Sequence, residues 1–268
     1  MDIVPIPAFA DNYIWMLVDS ATADPSGPRA CVVVDPGDAA PVEATLLREN
    51  LTLNAILITH HHADHTGGIA ALTQHRNIPV YGPATEAIAG VTHALVEGDE
   101  VSLDSVRAKP GEVCKLRVME IPGHTRGHIA YVGDGFVLCG DTLFAAGCGR
   151  LFEGTPAQMH ASLQRLAALP PETLVYCTHE YTLSNLKFAL SVEPDNDALV
   201  TRSFDDRATR GQGAPTVPST IARELATNPF LRCDQSGIRA QAERHAGTSL
   251  HNVVDVFASI RAQKDVFR

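Results

Sequence analysis

The chain has 268 residues, a formal net charge of −10 at neutral pH and 45% hydrophobic residues. This length allows one large domain or two smaller ones, each with a buried core. The negative charge argues against nucleic acid as a partner. No apolar run approaches membrane-spanning length, and the N-terminus carries Asp2, Pro5 and Pro7 without a basic stretch, unlike a signal peptide.

The first third of the chain alternates predicted strands and helices. Residues 11–19, 30–35 and 78–81 are rich in apolar and β-branched residues and are predicted to be strands. Residues 41–50 are predicted to be a helix, because apolar residues recur there at helical spacing. A second helix is predicted over residues 67–75.

The pattern becomes helical in the last third of the chain. Strand and turn alternate over residues 116–143, and residues 156–169 are predicted to be a helix that ends at two prolines. After His179 the segments are mostly helical and are separated by loops. We therefore predict a domain boundary near residue 180, with one domain over residues 1–180 and a mostly helical domain over residues 181–268.

Four potential metal ligands lie within six residues at the end of a predicted strand, namely His60, His62, Asp64 and His65. Imidazoles and carboxylates crowded in this way repel or desolvate one another unless a cation compensates. His60 and His62 are two residues apart in extended chain and can point to the same side, while His61 points away. Asp64 and His65 lie where the chain turns, so they can reach a second ion.

Three further apolar runs each end in small residues followed by a candidate ligand: His124, Asp141 and His179. These runs are short, rich in β-branched residues and bounded by Gly or Pro, which predicts buried strands. We therefore expect all the ligands at one edge of a sheet. Five histidines and two aspartates suit two metal ions. The economical partition is His60, His62 and His124 on one ion, Asp64, His65 and His179 on the other, and Asp141 between them.

Motifs along nearly the whole chain match one family. They are residues 59–68, 123–128, 140–144, 146–150, 178–181, 228–230 and 261–265. On these motifs the chain resembles the hydroxyacylglutathione hydrolases, or glyoxalase II enzymes, of the metallo-β-lactamase superfamily. The histidine cluster is shared by the whole superfamily, whereas the glycine-rich segment and the final Arg-x-x-Lys-Asp are typical of glyoxalase II. The resemblance implies an α+β fold, with an αββα sandwich followed by a C-terminal helical domain, and the same two-metal partition.

The resemblance also implies an activity, the hydrolysis of S-(2-hydroxyacyl)glutathione, chiefly S-D-lactoylglutathione, in methylglyoxal detoxification. Two divalent ions roughly 3.5–4 Å apart can share a water and lower its pKa from about 15.7 toward 7, which supplies a hydroxide nucleophile. Asp64 is the candidate to accept the hydroxide proton during attack. Because every candidate ligand atom is nitrogen or oxygen, the residues leave zinc, iron and manganese open. Zinc is the first expectation.

Glutathione carries two carboxylates, which an acidic chain repels unless basic groups are placed locally. Arg261 and Lys264 are neighbours at i, i+3 on the predicted last helix and can jointly meet a carboxylate. Without the resemblance, a solvated helix face would explain this pair. The resemblance implies that the glutathione part contacts Arg150, Tyr181, Arg261 and Lys264. It also places Phe152 at a substrate-binding position where many eukaryotic members have tyrosine, so one hydroxyl contact is absent.

Other residues keep more than one interpretation. Asp35 could orient a metal-ligating histidine or could simply form a turn. His128 is expected beside the ligands rather than among them. Ordinary surface or helix positions are expected for His75, His93, His160, His245 and His251.

Two other functions remain open. A glutathione persulfide dioxygenase of the same fold would hold one iron and consume oxygen, and a non-catalytic scaffold would bind metal without turnover. The six cysteines show no paired spacing, which favours reduced thiols and a cytoplasmic protein. We expect a monomer whose partner is the small glutathione thioester, with no nucleic acid and no membrane.

Overall fold

A computed structural model of the chain describes residues 1–20, 27–109 and 111–267. The described residues form fourteen strands and nine helices. The strands are β1 (Asp2–Ala8), β2 (Asn12–Val18), β3 (Arg29–Val34), β4 (Leu51–Leu57), β5 (Val80–Pro83), β6 (His93–Leu95), β7 (Glu100–Lys109), β8 (Glu112–Glu120), β9 (Ile129–Gly133), β10 (Phe136–Gly140), β11 (Leu143–Phe144), β12 (Gly147–Cys148), β13 (Leu174–Cys177) and β14 (Ser219–Thr220). The helices are α1 (Ala39–Arg48), α2 (Ala63–Thr66), α3 (Ile69–Thr73), α4 (Pro156–Ala167), α5 (Thr182–Val192), α6 (Asp197–Gly211), α7 (Ile221–Thr227), α8 (Ser236–Ala246) and α9 (Val253–Val266). The fold class is α+β, as predicted.

The chain divides into two compact units, which are described separately. Unit 1 comprises Met1–Glu120 and Gly127–Gly140, and unit 2 comprises Ile121–Arg126 and Asp141–Arg268. The functional division after residue 180 stays a prediction.

The first sheet of unit 1 has six strands in the order β1-β2-β3-β4-β5-β6. β2 pairs antiparallel with both β1 and β3, whereas β3 to β6 run parallel to one another. All seven residues of β2 are buried, so both faces of this strand are covered. Helices α1 and α3 pack on one face through Val42, Leu46, Ile69 and Leu72. The histidine cluster follows the carboxyl end of β4, at an edge of the sheet whose strands are packed against α1 and α3.

Strands β7 to β10 of unit 1 form an antiparallel series, in which each strand pairs with the next. The expectation that all ligand-bearing strands share one sheet is wrong, because β4 lies in the first sheet whereas β8 and β10 both pair with β9. The apolar pattern marks a segment as a strand, but its partners are set by contacts distant in sequence.

Most predicted elements are present with shifted ends. The helix predicted over residues 41–50 is α1, which starts two residues earlier because the Asp38 carboxylate accepts from Ala40 N at its N-terminus. The helix predicted over residues 67–75 is replaced by the two short helices α2 and α3. Helix α4 begins at Pro156, as predicted, behind a capping box formed by Thr155 and Gln158.

Unit 2 contains the six helices α4 to α9 and the short strands β11 to β14. Its interior includes Phe188, Phe230 and Phe257, whose rings contact one another in series at 5.9 and 5.8 Å between centroids. All six cysteines, each within the described part of the chain, are buried and none forms a disulfide. Among the described residues, no helix has both the length and the apolar character needed to cross a membrane.

Candidate functional site

The histidine cluster of unit 1 follows β4 and leads into α2. His60 is fully buried, and its Nε2 lies 3.1 Å from Nδ1 of His62. His61 Nδ1 lies 3.0 Å from Oε2 of Glu86. Two adjacent imidazoles therefore present their ring nitrogens to the same small volume.

Asp35 orients two of these imidazoles. Its Oδ1 accepts from Thr59 N and its Oδ2 accepts from the Thr59 hydroxyl, each at 2.8 Å. Because that hydroxyl donates to Asp35, its oxygen accepts from His60 Nδ1, which lies 3.1 Å away. His65 Nδ1 lies 3.1 Å from the same Oδ2 of Asp35. A proton on each Nδ1 leaves Nε2 of His60 and His65 with a lone pair, as a metal ligand requires. The orienting interpretation of Asp35 is therefore favoured over a simple turn.

Asp64 lies in the first turn of α2, with its side chain 43% exposed. Its Oδ2 accepts from Asn12 Nδ2 at 3.1 Å and lies 3.6 Å from Nε2 of His65. Gly37 lies so close to α2 that a Cβ at this position would overlap the Asp64 carbonyl oxygen. Asn12 therefore holds the Asp64 carboxylate, and close packing against Gly37 holds the Asp64 main chain. The sequence did not reveal the role of Asn12.

Unit 2 supplies a second cluster around Asp141. His124 Nδ1 donates to the carbonyl oxygen of Arg150 at 2.9 Å, which leaves its Nε2 without a proton in the neutral ring. This Nε2 lies 3.4 Å from Asp141 Oδ2, and His179 Nε2 lies 3.3 Å from the same oxygen. Lone pairs of neutral imidazoles that face a carboxylate oxygen are stabilised by a divalent cation.

The segment after Asp141 folds back as the hairpin of β11 and β12, which contains only two residue pairs. Gly149 follows the hairpin, and its N–H donates to Thr142 O at 3.1 Å. A Cβ at Gly149 would overlap the Asp141 carbonyl oxygen and approach His124 Nδ1 to 3.1 Å. Glycine is therefore required where the main chain returns to the ligand cluster.

Three basic side chains of unit 2 lie around the end of α9. Arg261 is buried, donates from Nη1 to Cys148 O at 2.8 Å, and donates from Nη2 to Asp265 Oδ1 at 3.0 Å. Arg150 Nε lies 3.6 Å from the same Asp265 oxygen. Lys264 Nζ donates to Ser184 Oγ at 3.0 Å. With one carboxylate among three cations, this surface favours an anionic ligand.

The pKa of Lys264 is lowered to about 8 by burial and by the nearby charges of Arg261 and Arg150. Tyr181 stacks on the His179 ring at 4.7 Å between centroids and remains 38% exposed. Phe152 is 62% exposed and meets His124 edge-on at 5.2 Å. Aromatic surface thus adjoins the histidines of the Asp141 cluster.

Side chains that could hold a metal ion form three groups among the described residues. The members of these groups are the seven predicted ligands and no other residue of the described part of the chain: His60, His62, Asp64, His65, His124, Asp141 and His179. Their nitrogen and oxygen donors fit a divalent transition metal. Which ion each side chain binds stays a proposal.

The remaining candidate histidines have other surroundings. His128 is buried and stacks on His60 at 4.6 Å between centroids, so it supports that ring. His160 lies in α4 against Phe257, and burial lowers its pKa. Exposed positions are found for His75, His93, His245 and His251.

Two family models match consecutive parts of the chain. The model described as "Metallo-beta-lactamase superfamily" matches residues 17–179, and the one described as "Hydroxyacylglutathione hydrolase C-terminus" matches residues 180–267. A curated hydroxyacylglutathione hydrolase from Alkalilimnicola ehrlichii is 55% identical over 98% of both chains, and one from Nitrosomonas eutropha is 51% identical over 100% of both. The chain belongs to the hydroxyacylglutathione hydrolase family. The predicted resemblance is confirmed, and the metallo-β-lactamase fold of this family implies binding of divalent metal.

Solved structures agree with this fold. ETHE1 from Myxococcus xanthus aligns over 100% of both chains with a TM-score of 0.63 and 25% identity. TTHA1623 in a di-iron-bound form aligns with 85% of this chain and 100% of its own, with a TM-score of 0.56 and 25% identity. This chain is thus similar in fold to a protein whose structure was solved in a di-iron-bound form.

Proposed function

We propose that this chain is a hydroxyacylglutathione hydrolase, which cleaves S-(2-hydroxyacyl)glutathione to glutathione and a 2-hydroxy acid. The observation that carries the proposal is its 55% identity with a curated enzyme of that name over 98% of both chains. Such coverage includes both the metal-ligand motifs and the C-terminal helices. S-D-lactoylglutathione, which yields D-lactate, is the substrate proposed first.

The seven candidate ligands would hold two divalent ions, in the partition that the sequence predicts. His60, His62 and His124 would bind one ion, Asp64, His65 and His179 would bind the other, and Asp141 would bridge them. The contacts of Asp141 Oδ2 with both His124 and His179 support a bridging role. Zinc is proposed first, and the same donors also suit iron and manganese.

When bound, the two ions supply hydroxide at neutral pH and positive charge for a developing oxyanion. The chain itself orients the ligand rings through Asp35 and the Arg150 carbonyl group. Asp64 is proposed to accept the proton released during attack, since its carboxylate is both partly exposed and held by Asn12. The leaving thiolate derives from a thiol with a pKa of about 8.5, so its departure needs no strong acid.

Arg150, Tyr181, Arg261 and Lys264 are proposed to bind the glutathione part. Arg261 and Lys264 offer charge for its carboxylates at the end of α9, and Tyr181 offers a ring face and a hydroxyl. Phe152 has no hydroxyl and would contact the substrate only through its ring. The stack of Tyr181 on His179 supports a substrate path beside the ligand cluster of unit 2.

A monomeric state and a cytoplasmic location are also proposals. The six buried cysteines, none of them in a disulfide, support a reducing compartment. Light scattering and fractionation of the native host would test these two proposals.

The decisive experiment is an assay of the purified protein with S-D-lactoylglutathione, with metal per chain measured on the same sample. Loss of the thioester absorbance with equal release of free thiol is expected, without oxygen uptake. Oxygen uptake with glutathione persulfide would instead identify a dioxygenase, which the relatives' names do not favour. Bound metal without turnover of either compound would identify a scaffold.

A further inference from the structure

A buried charge network joins α6 and α7 in unit 2. Arg202 and Glu224 are 2% and 0% exposed, and Arg202 Nη2 lies 2.7 Å from Glu224 Oε1. Arg202 also donates from Nε to Asp206 Oδ2 at 3.2 Å and from Nη1 to Thr227 Oγ1 at 2.6 Å. The guanidinium is therefore surrounded by acceptors, and its two carboxylate partners sit on different helices.

The second carboxylate oxygen of Glu224 contacts the main chain of the β11–β12 hairpin instead of Arg202. Glu224 Oε2 accepts from Ala146 N at 2.8 Å and from Asn228 Nδ2 at 2.9 Å. Asn228 Nδ2 in turn donates to Gly147 O at 2.9 Å and Phe144 O at 3.2 Å. One carboxylate and one amide thus bind three backbone groups of the β11–β12 hairpin, namely Phe144 O, Ala146 N and Gly147 O.

The hairpin needs this support. It has only two residue pairs, which is too few for independent stability. Its turn includes Ala146 at φ 55°, a left-handed conformation that is unfavourable for a residue with a Cβ. The Glu224 carboxylate accepts from the N–H of this same alanine, so it stabilises the unfavourable left-handed conformation of the turn.

The hairpin in turn carries groups that the glutathione site uses. The carbonyl oxygen of Cys148, at its end, accepts from Arg261 Nη1. Arg150 lies beyond Gly149, whose N–H donates to Thr142 O, so the contact of the Arg150 carbonyl oxygen with His124 is held separately from the hairpin. A shift of the hairpin would therefore move the acceptor that orients the buried Arg261 guanidinium.

We propose that Glu224, assisted by Asn228, is a positioning residue for glutathione recognition, because it fixes the hairpin against which Arg261 is oriented. This inference rests on the proposed function, in which Arg261 binds a glutathione carboxylate. Glu224 acts through the main chain of the hairpin and through Arg261.

Asp206 offers a matched control. It is buried in the same network and accepts from Arg202 and Arg223, both of which lie on the helices themselves. Glu224→Gln and Asp206→Asn each remove one buried negative charge beside Arg202 without changing side-chain size. In Glu224→Gln, the new amide group must face either the Ala146 N–H or the guanidinium, so one donor meets another.

Both variants are compared with the wild type for melting temperature, kcat and KM, using lactoylglutathione and a short lactoyl thioester that lacks carboxylates. Both should melt at lower temperature. Only Glu224→Gln should raise KM for lactoylglutathione, by about fivefold or more, with kcat within about twofold and the short thioester unchanged. A KM increase of the same size in Asp206→Asn would overturn the proposal, as would no increase in Glu224→Gln or an equal increase for the short thioester.

A second measurement does not depend on turnover. Amide hydrogen exchange over residues 143–149 should become faster in Glu224→Gln and stay unchanged in Asp206→Asn, and equal exchange in both would overturn the proposal. If Glu224→Gln does not fold, Asn228→Ala removes the amide donor to Phe144 O and Gly147 O while the charges stay, and it must raise KM in the same way.

Arg261→Ala separates the two levels of the proposal. A KM increase in Arg261→Ala without one in Glu224→Gln refutes the positioning role alone. No increase in Arg261→Ala refutes the glutathione role of Arg261 and the positioning role that depends on it.

Discussion

The Asp35 carboxylate accepts from both donors of Thr59, its backbone N–H and its hydroxyl, at 2.8 Å each. The same carboxylate lies 3.1 Å from His65 Nδ1, so a single buried side chain sets the ring orientation of two candidate ligands. Asp35 also has φ 53°, a conformation that asparagine tolerates well. Asp35→Asn therefore changes the charge and the hydrogen bonds at little backbone cost.

Asp35→Asn should lower metal affinity by about tenfold to a hundredfold, because the amide cannot accept all the hydrogens that the carboxylate accepts. Competition with a chelator measures the affinity. Asp38→Asn is the matched control, since Asp38 lies in the same loop but only caps α1. Equal affinity in the two variants would contradict the orienting role.

Asp141→Asn should lose metal and turnover together. The substitution keeps the shape of the side chain but removes the negative charge that two cations would share. Elemental analysis and the lactoylglutathione assay measure the two effects. Asp134→Asn, in an exposed ion pair with Lys109, should change neither. Full occupancy of both sites with kcat near that of the wild type would refute the bridging assignment.

His65→Ala should preferentially deplete one of two ions. The imidazole belongs to the proposed set with Asp64 and His179, so the set with His60 and His62 should stay filled. Anomalous scattering from crystals of the variant shows which ion is lost. His75→Ala, on the surface, is the control. Loss of both ions in equal proportion would leave the partition unsupported.

Arg261→Ala and Lys264→Ala should each lower kcat/KM for lactoylglutathione by about tenfold to a hundredfold, since a charged hydrogen bond contributes on the order of 1.5–3 kcal/mol. The effect should lie mainly in KM if the contact is equally strong in the ground and transition states. A short thioester without carboxylates should be cleaved almost normally. Arg244→Ala, on exposed α8 surface, is the control. Equal losses on both substrates would mean that the two residues support the fold instead.

The wild-type KM for lactoylglutathione should rise as pH increases above about 8. Burial, with repulsion from Arg261 and Arg150, lowers the pKa of Lys264 to about 8, so the side chain is charged below that pH and neutral above it. Lys264→Arg should abolish this rise, because a guanidinium stays charged to a pH above about 12. Steady-state kinetics measured from about pH 6.5 to about pH 9.5 tests the difference. A parallel rise in Lys264→Arg would assign the dependence to another group.

The candidate metal ligands could be selected from sequence because their signal is local. Four of them lie within six residues, and the others follow strands whose apolar pattern is itself local. The helix pair at α2 and α3 was less predictable, since the break between them falls at glycines that a helical pattern tolerates. Family resemblance, rather than pattern, supplied the residues proposed to bind glutathione.

The supporting contacts could not be predicted, because they join residues distant in the chain. Asn12 reaches Asp64 across 52 residues, and Ala146 reaches Glu224 across 78. Arg261 reaches Cys148 across 113 residues. No periodicity or spacing in the sequence records such pairs, and each becomes visible only when the elements are packed.

The burial of every cysteine bears on chemical durability. Burial raises the pKa of Cys31 and Cys177 to about 12 and that of Cys114 and Cys148 to about 11, so these thiols stay protonated at neutral pH. The thiolate is the nucleophile toward electrophiles, and a protonated, shielded thiol is inert. Under the proposed function, the protein would meet methylglyoxal, a reactive dicarbonyl compound. Its buried thiols would resist alkylation by that compound.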